Sequence, residues 1–164
     1  MHYDRTRYDR GGLEVLDADQ CRSLLAGAPL GRIVFTDRAL PAVQPVNFSM
    51  RGGDIVIRTS ASSRLAVAAR NAVVAFEADE YDAVTRSGWS VVVVGHARPV
   101  TGAAELAALG DLPLSPWIDE ADSLFLRIRP ETVSGRRIPP RPGQPRQPGQ
   151  PGRRAGEAAG CPAG

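Results

Sequence analysis

A chain of 164 residues with 43% apolar content is long enough to bury one core and too short for several, so a single globular domain with an extension is expected. No run of 18 apolar residues occurs and the N-terminal MHYDRTRYDRGG is charged throughout, which argues against a membrane-spanning helix or a signal peptide and makes the cytoplasm the expected compartment, with no membrane partner. All 20 basic residues are arginine and they sit unevenly: residues 139–164 hold four against one Glu and the remainder holds 16 against 17 acids, so the body lacks the basic footprint of a nucleic-acid binder.

Residues 1–12 are predicted to form a flexible arm, residues 13–138 the folded domain and residues 139–164 a disordered tail. The tail holds 7 of the 14 prolines and six glycines, and cannot bury enough apolar area to offset chain entropy. In the domain, DADQCRSLLAGAP (17–29) opens on an acidic turn, continues with apolar residues at helical spacing and ends at Gly27 and Pro29, which predicts a short helix. LGRIVFTD (30–37) and PAVQPVNFSM (41–50) are β-rich runs joined by the short connection DRAL, the pattern of a hairpin. GGDIVIRTS (52–60) follows a second glycine turn and predicts a third antiparallel strand. SRLAVAARN (63–71) is an Ala-rich helix stopped by Asn71. AVVAFEADE (72–80) and GWSVVVVGHARPV (88–100) are the fourth and fifth strands, with Gly95 marking a bend or bulge in the longer one. TGAAELAALGDLP (101–113) predicts a short helix capped by Thr101 and closed by Gly110 and Pro113. ADSLFLRIRPETVSGRRI (121–138) begins with alternation and gives the last strand or strand pair. Six or so strands, mostly neighbours in sequence with short helices at the crossings, predict a mainly β fold: an antiparallel barrel, closed or half closed, in preference to a parallel doubly wound sheet.

Catalytic constellations are scarce. His96 is the only histidine beyond the arm, and no Ser, Cys, Asp or Glu stands at a spacing that announces a triad or a metal site, so no metal is expected. Cys21 and Cys161 are too few for a disulfide framework, and Cys21 reads as a buried apolar residue. The four carboxylates of EADEYD (77–82) read as a solvated face. The densest polar feature is RTSASSR (58–64), which places Arg58, Thr59, Ser60, Ser62, Ser63 and Arg64 at one strand-to-helix corner where a cap needs one or two such groups. A helix N-terminus presents unpaired N–H groups and a positive partial charge, so a phosphate suits this corner; a Ser cap flanked by exposed arginines is the structural alternative. Asn47 in PVNF, across the presumed hairpin from VIRT, offers amide groups to a planar heterocycle, and Trp89 with Ser90 enters the long strand after a glycine. Trp89 and Trp117 are also candidates for core or dimer packing.

Taken in order, LGR…FTD, P…PVNF, IVIRTS…SSR, VAFEADEYD and SGWSVVVVGHA, closed by RIRPETVSGRRI, resemble the pyridoxamine 5′-phosphate oxidase-like superfamily of split-barrel flavoproteins. Within it the chain resembles a small actinobacterial flavin-binding branch related to nitroimidazole-resistance proteins, over roughly residues 15–138. The resemblance implies a six-stranded antiparallel split β-barrel that forms a homodimer and holds FMN in two symmetric clefts between subunits. It implies that Arg58, Thr59, Ser63 and Arg64 hold the FMN phosphate; relatives often carry Lys where Arg64 stands, and Arg keeps the charge while adding a fork suited to phosphate. Val46 and Asn47 would lie along the flavin ring and Trp89 and Ser90 would reach it from the far side, with Trp117, Arg127 and Arg137 as candidates for contacts across the dimer interface. The implied activity is hydride transfer between flavin and a small-molecule substrate. The alternatives are a deazaflavin coenzyme or heme in place of FMN, a cofactor-binding carrier or sensor without turnover, and a cofactor-free dimeric interaction protein. Pyridoxamine phosphate oxidases carry further substrate-phosphate residues near the C-terminus, where this chain has only SGRRI and the tail, so vitamin B6 oxidation is not expected.

Overall fold

The computed structural model describes residues 8–114 and 122–139. The elements in chain order are β1 (Glu14–Leu16), α1 (Ala18–Gly27), β2 (Gly31–Asp37), β3 (Leu40–Val46), β4 (Phe48–Arg51), β5 (Asp54–Ser60), α2 (Arg64–Ala68), β6 (Ala72–Asp82), β7 (Ser87–Pro99), α3 (Ala103–Leu109) and β8 (Ser123–Ile138). All strand pairs are antiparallel, in the order β3-β2-β6-β7-β8-β5-β4, with β1 beside β8. β3 and β4 stand at opposite ends of this order, yet a single residue, Asn47, separates them in the chain. The run 41–50, expected as one strand, is therefore two: up to Val46 it pairs with β2, and from Phe48 it pairs with β5. The backbone at Asn47 thus joins the two edges of the sheet and rolls it into a split barrel, joined there by the chain and not by a ladder. This break, together with the short β1, accounts for eight strands where six were expected.

The barrel interior follows from period-two alternation. Ile33 and Phe35 of β2, Ile55 and Ile57 of β5, Phe76 of β6, Val91 and Val93 of β7, and Leu126 and Ile128 of β8 are buried in one cluster, plugged by Cys21 and Leu25 of α1. Phe48 meets Phe76 edge to face with ring centroids 4.7 Å apart. α1 begins in a capping box: Asp17 Oδ1 accepts from the Gln20 N–H at 2.8 Å, and Gln20 Oε1 accepts from the Asp17 N–H at 2.9 Å. Gly95 marks the expected bulge. The β7–β8 register shifts between Val94 and Gly95, and a Cβ at Gly95 would stand 2.0 Å from the Arg129 carbonyl oxygen. β8 is one continuous strand of 16 residues.

α3 packs outside the barrel over a second apolar cluster of Val56, Val100, Leu109 and Leu114. Its N-cap is Gly102, which makes no side-chain cap bond, so Thr101 does not have the role expected of it. Glu105 instead ties the helix to β7 and β8 through Arg98 at 2.9 Å and Arg127 at 3.0 Å. Ahead of β1, Tyr8 bridges to Glu14 and Asp9 pairs with Arg136 at 3.0 Å. No helix among the described residues is long and apolar enough to cross a membrane.

Candidate functional site

Alternation along β5 divides the polar corner. Ile55, Ile57 and Thr59 face the barrel interior, so Val56, Arg58 and Ser60 leave on the outer face. Inside, Thr59 is buried with its hydroxyl 3.1 Å from that of Ser63, and Ser63 Oγ accepts the Ala66 N–H at 3.0 Å as the N-cap of α2. Ser60 and Ser62 both donate to the Asp122 carboxylate, Ser62 at 2.8 Å, while the Ala61 N–H donates to the Asp122 carbonyl at 2.8 Å. The Ser60 hydroxyl above all, then that of Ser62, holds the Asp122 carboxyl below its ordinary value. Asp122 is therefore an anion at neutral pH, and this flank repels a phosphate. Ser60 and Ser62 fasten the corner to the start of β8, which leaves the four groups that the resemblance named.

Those four are arranged unequally. Arg64 is 76% exposed, and its Nε donates to Asp37 Oδ2 at 2.8 Å with an Nη on the same oxygen. It follows Ser63, the N-cap of α2. Arg58 lies on the other face, where Nη2 donates to Ser123 Oγ at 3.0 Å, Nη1 reaches the Leu114 carbonyl at 3.5 Å and the guanidinium sits 5.4 Å from the Phe125 ring centroid. Its Nε is buried without a hydrogen-bond partner. α2 spans only five residues, so aligned peptide dipoles add little and side chains supply most of the positive field. One guanidinium, that of Arg64, and two hydroxyls against one facing carboxylate, Asp37, form a donor set suited to a phosphate, with Arg58 on the outer side of the strand.

Asn47 and Arg64 line separate cavities. Asn47 lines one of about 500 Å³ with Leu25, Phe48, Met50 and Leu114. The β4–β5 ladder ends at the Phe48–Ile57 pair, so Asn47 and Arg58 each stand just past its last rung. Val46 is buried in the core, which leaves its backbone as the part able to meet a ligand. A second cavity, of about 420 Å³, lies between the β2–β3 turn and α2 and is lined by Asp37, Arg38, Leu40, Pro41, Ala42 and Arg64. Trp89 and Ser90 line a third, of about 260 Å³, with Tyr81 and Arg136; the Trp89 indole N–H donates to Glu80 at 3.3 Å.

Trp89 pairs with Arg137 of β8, whereas Arg58 pairs with Phe125 of the same strand. Those positions are twelve steps apart along the strand, roughly 40 Å. Within one chain, Trp89 and Ser90 therefore do not meet the corner. Arg127 is taken up by Glu105 and, at 3.8 Å, by Asp54, and Arg137 by Glu14 at 3.4 Å; Trp117 lies outside the described residues. His96 is exposed on Glu131, Glu77 and Asp79 hold Arg32, and Cys21 is buried with its thiol pushed up by that burial. Among the described residues no three His, Cys, Asp or Glu side chains are grouped to hold a metal. Sequence reasoning missed Asp37, Arg38 and Asp122 as neighbours of the corner, since they reach it only through packing of β2 on α2 and pairing of β8 with β5.

The architecture has close relatives. The uncharacterized protein Rv0080 of Mycobacterium tuberculosis is 42% identical over 128 residues, covering 75% of this chain and 84% of its own length. The solved structure of the FAD binding protein from Mycobacterium smegmatis superposes with a TM-score of 0.70 at 38% identity, covering 76% of this chain and 97% of that one. A conserved protein of unknown function from Corynebacterium diphtheriae superposes at 0.65 with 30% identity, covering 76% and 96%. The sequence profile of pyridoxamine 5′-phosphate oxidase matches residues 17–137, from the cap of α1 to the end of β8, and the chain belongs to that family.

Proposed function

We propose that this protein is a flavin-dependent oxidoreductase that grips the phosphate of an FMN unit at the Thr59–Ser63–Arg64 corner, in a cleft completed by a second copy of the chain, and exchanges hydride with a small-molecule substrate. The observation that carries this reading is the corner itself, where the exposed Arg64, held by Asp37, follows directly on Ser63, whose hydroxyl lies 3.1 Å from that of Thr59. A bound flavin supplies the hydride chemistry through its own ring, so this reading requires no catalytic triad. The chain's part is to hold and orient. Arg64 turns from Asp37 to the phosphate, Thr59 and Ser63 donate their hydroxyls, and the Asn47 amide with the Val46 backbone meets the ring edge. Arg58 fixes the outer side of the corner against Phe125 and Ser123.

Two features support a dimer. The corner and Trp89 are too far apart to serve one cleft from one chain, which two copies related by a twofold axis would remedy. The outer sheet face also carries an apolar row in register, Val43–Val34–Ala75–Val94, whose Val43 is 62% exposed. The FMN unit is bound either alone or within FAD; the FAD-binding relative at 38% identity favours the second form. The test is the visible spectrum of freshly purified protein, with mass identification of whatever heat releases. A flavin spectrum with the mass of FMN or FAD, followed by turnover with a reduced nicotinamide, is expected. A deazaflavin or heme mass would redirect the cofactor, and flavin without turnover would mark a carrier. A colourless protein that binds no added flavin would overturn the reading in favour of a cofactor-free interaction protein.

A further inference from the structure

Resting on the flavin reading above, we infer that Arg38 is a second phosphate-binding residue, which selects a cofactor whose FMN phosphate continues into a pyrophosphate. Arg38 and Arg64 line one cavity of about 420 Å³ beside the corner. Between them stands Asp37, whose carboxylate holds Arg64. The formal charges of the three leave that cavity with a net positive charge, and Arg64 with the Thr59 and Ser63 hydroxyls is enough for one phosphoryl group. Arg38 is exposed, and its side chain makes no hydrogen bond or ion pair among the described residues. It is nonetheless fixed at its backbone. The pairing of Asp37 with Leu40 leaves a two-residue loop, Arg38–Ala39, with φ 51° and 64°, a left-handed pair that the β2–β3 ladder holds in place. An unpaired cation on a rigid tight turn, one residue past the carboxylate that anchors the first cation, matches a ligand with two adjacent phosphoryl charges. Leu40 and Pro41 continue the wall of the same cavity with apolar surface, suited to the planar base of a dinucleotide.

The test compares full-length protein with Arg38→Asn, which keeps a residue tolerant of the left-handed region, and with Arg38→Lys, each titrated with FMN and with FAD and followed by flavin fluorescence. Arg38→Asn should weaken FAD about tenfold or more while leaving FMN within about twofold, and Arg38→Lys should restore part of the loss. Equal weakening of both flavins, or an unchanged FAD affinity, would overturn the assignment. So would a wild-type protein that binds FMN and not FAD, an outcome that leaves the flavin reading standing. Failure of the wild type to bind either flavin would sink that reading and this inference together.

Discussion

At the scale of single residues the corner makes opposite demands on two neighbours. Arg64 is the cation a phosphate would use, and Asp37 is the anion that holds it until one arrives. Arg64→Ala should weaken FMN by about 1.5 to 3 kcal/mol, roughly tenfold to over a hundredfold, measured by flavin titration. Asp37→Asn should act with the opposite sign, tightening flavin binding several-fold, because the guanidinium no longer has to leave a carboxylate; weaker binding would show that Asp37 orients Arg64 and does not compete for it. The third charged neighbour, Asp122, sets an acid limit. Its carboxyl titrates below the ordinary 3.8 because Ser60, then Ser62, donates to the anion. A depressed folded value means that the stability it lends is fully present above 3.8 and fades as pH falls through the folded value. The stability gap between wild type and Ser60→Ala/Ser62→Ala should therefore hold above pH 3.8 and narrow as pH falls below it in denaturant melts; a gap independent of pH would exclude Asp122 as its source. RTSASSR displayed its density of donors in the sequence, yet not their division. Strand alternation sends Arg58 and Thr59 to opposite faces, and the carboxylate that claims Ser60 and Ser62 lies some sixty residues away in sequence.

At the scale of elements, turn chemistry fixes the barrel's register. The β4–β5 hairpin uses Gly52–Gly53 with φ 59° and 88°, where glycine adopts the left-handed region without strain, while β2–β3 places Arg38 and Ala39 in the same region. Ala39 has no side-chain hydrogen bond to offset that strain, so Ala39→Gly should raise stability by about 1 kcal/mol and the melting temperature by a few degrees. A lower melting temperature would mean that the glycine's greater freedom in the unfolded chain outweighs the relief. Most elements were legible because alternation and helical spacing are local: the acidic turn that opens α1, the β2–β3 hairpin, the glycine turn before β5 and the bulge at Gly95 all stand within a residue or two of their sequence signals. The division of 41–50 was not legible, because Asn47 is neither Gly nor Pro and both halves keep β-rich composition. The prolines at 41 and 45 did carry a hint, since Pro cannot donate to a second neighbour, and β3 pairs with β2 alone.

At the scale of the whole molecule, the sheet's outer face sets the remaining question. Cross-strand partners share a face, so Val43, Val34, Ala75 and Val94 form one row across β3, β2, β6 and β7, and Val92 on the adjoining row is also partly exposed. A row of apolar side chains exposed on a single chain is costly in water, and in the proposed dimer a second copy would cover it. The sequence shows those valines only as strand formers, because alternation tells which residues share a face and not what covers the face. Val94→Glu would place a charge in the middle of the row, with Val84→Glu in the exposed β6–β7 turn as the control for charge alone. Light scattering should give twice the chain mass for wild type and the control, and a single chain mass for Val94→Glu, with flavin affinity falling at least tenfold in the monomer. A Val94→Glu monomer that keeps its flavin would show that one chain suffices for the cleft. A dimer that survives the substitution would move the interface to another face of the barrel.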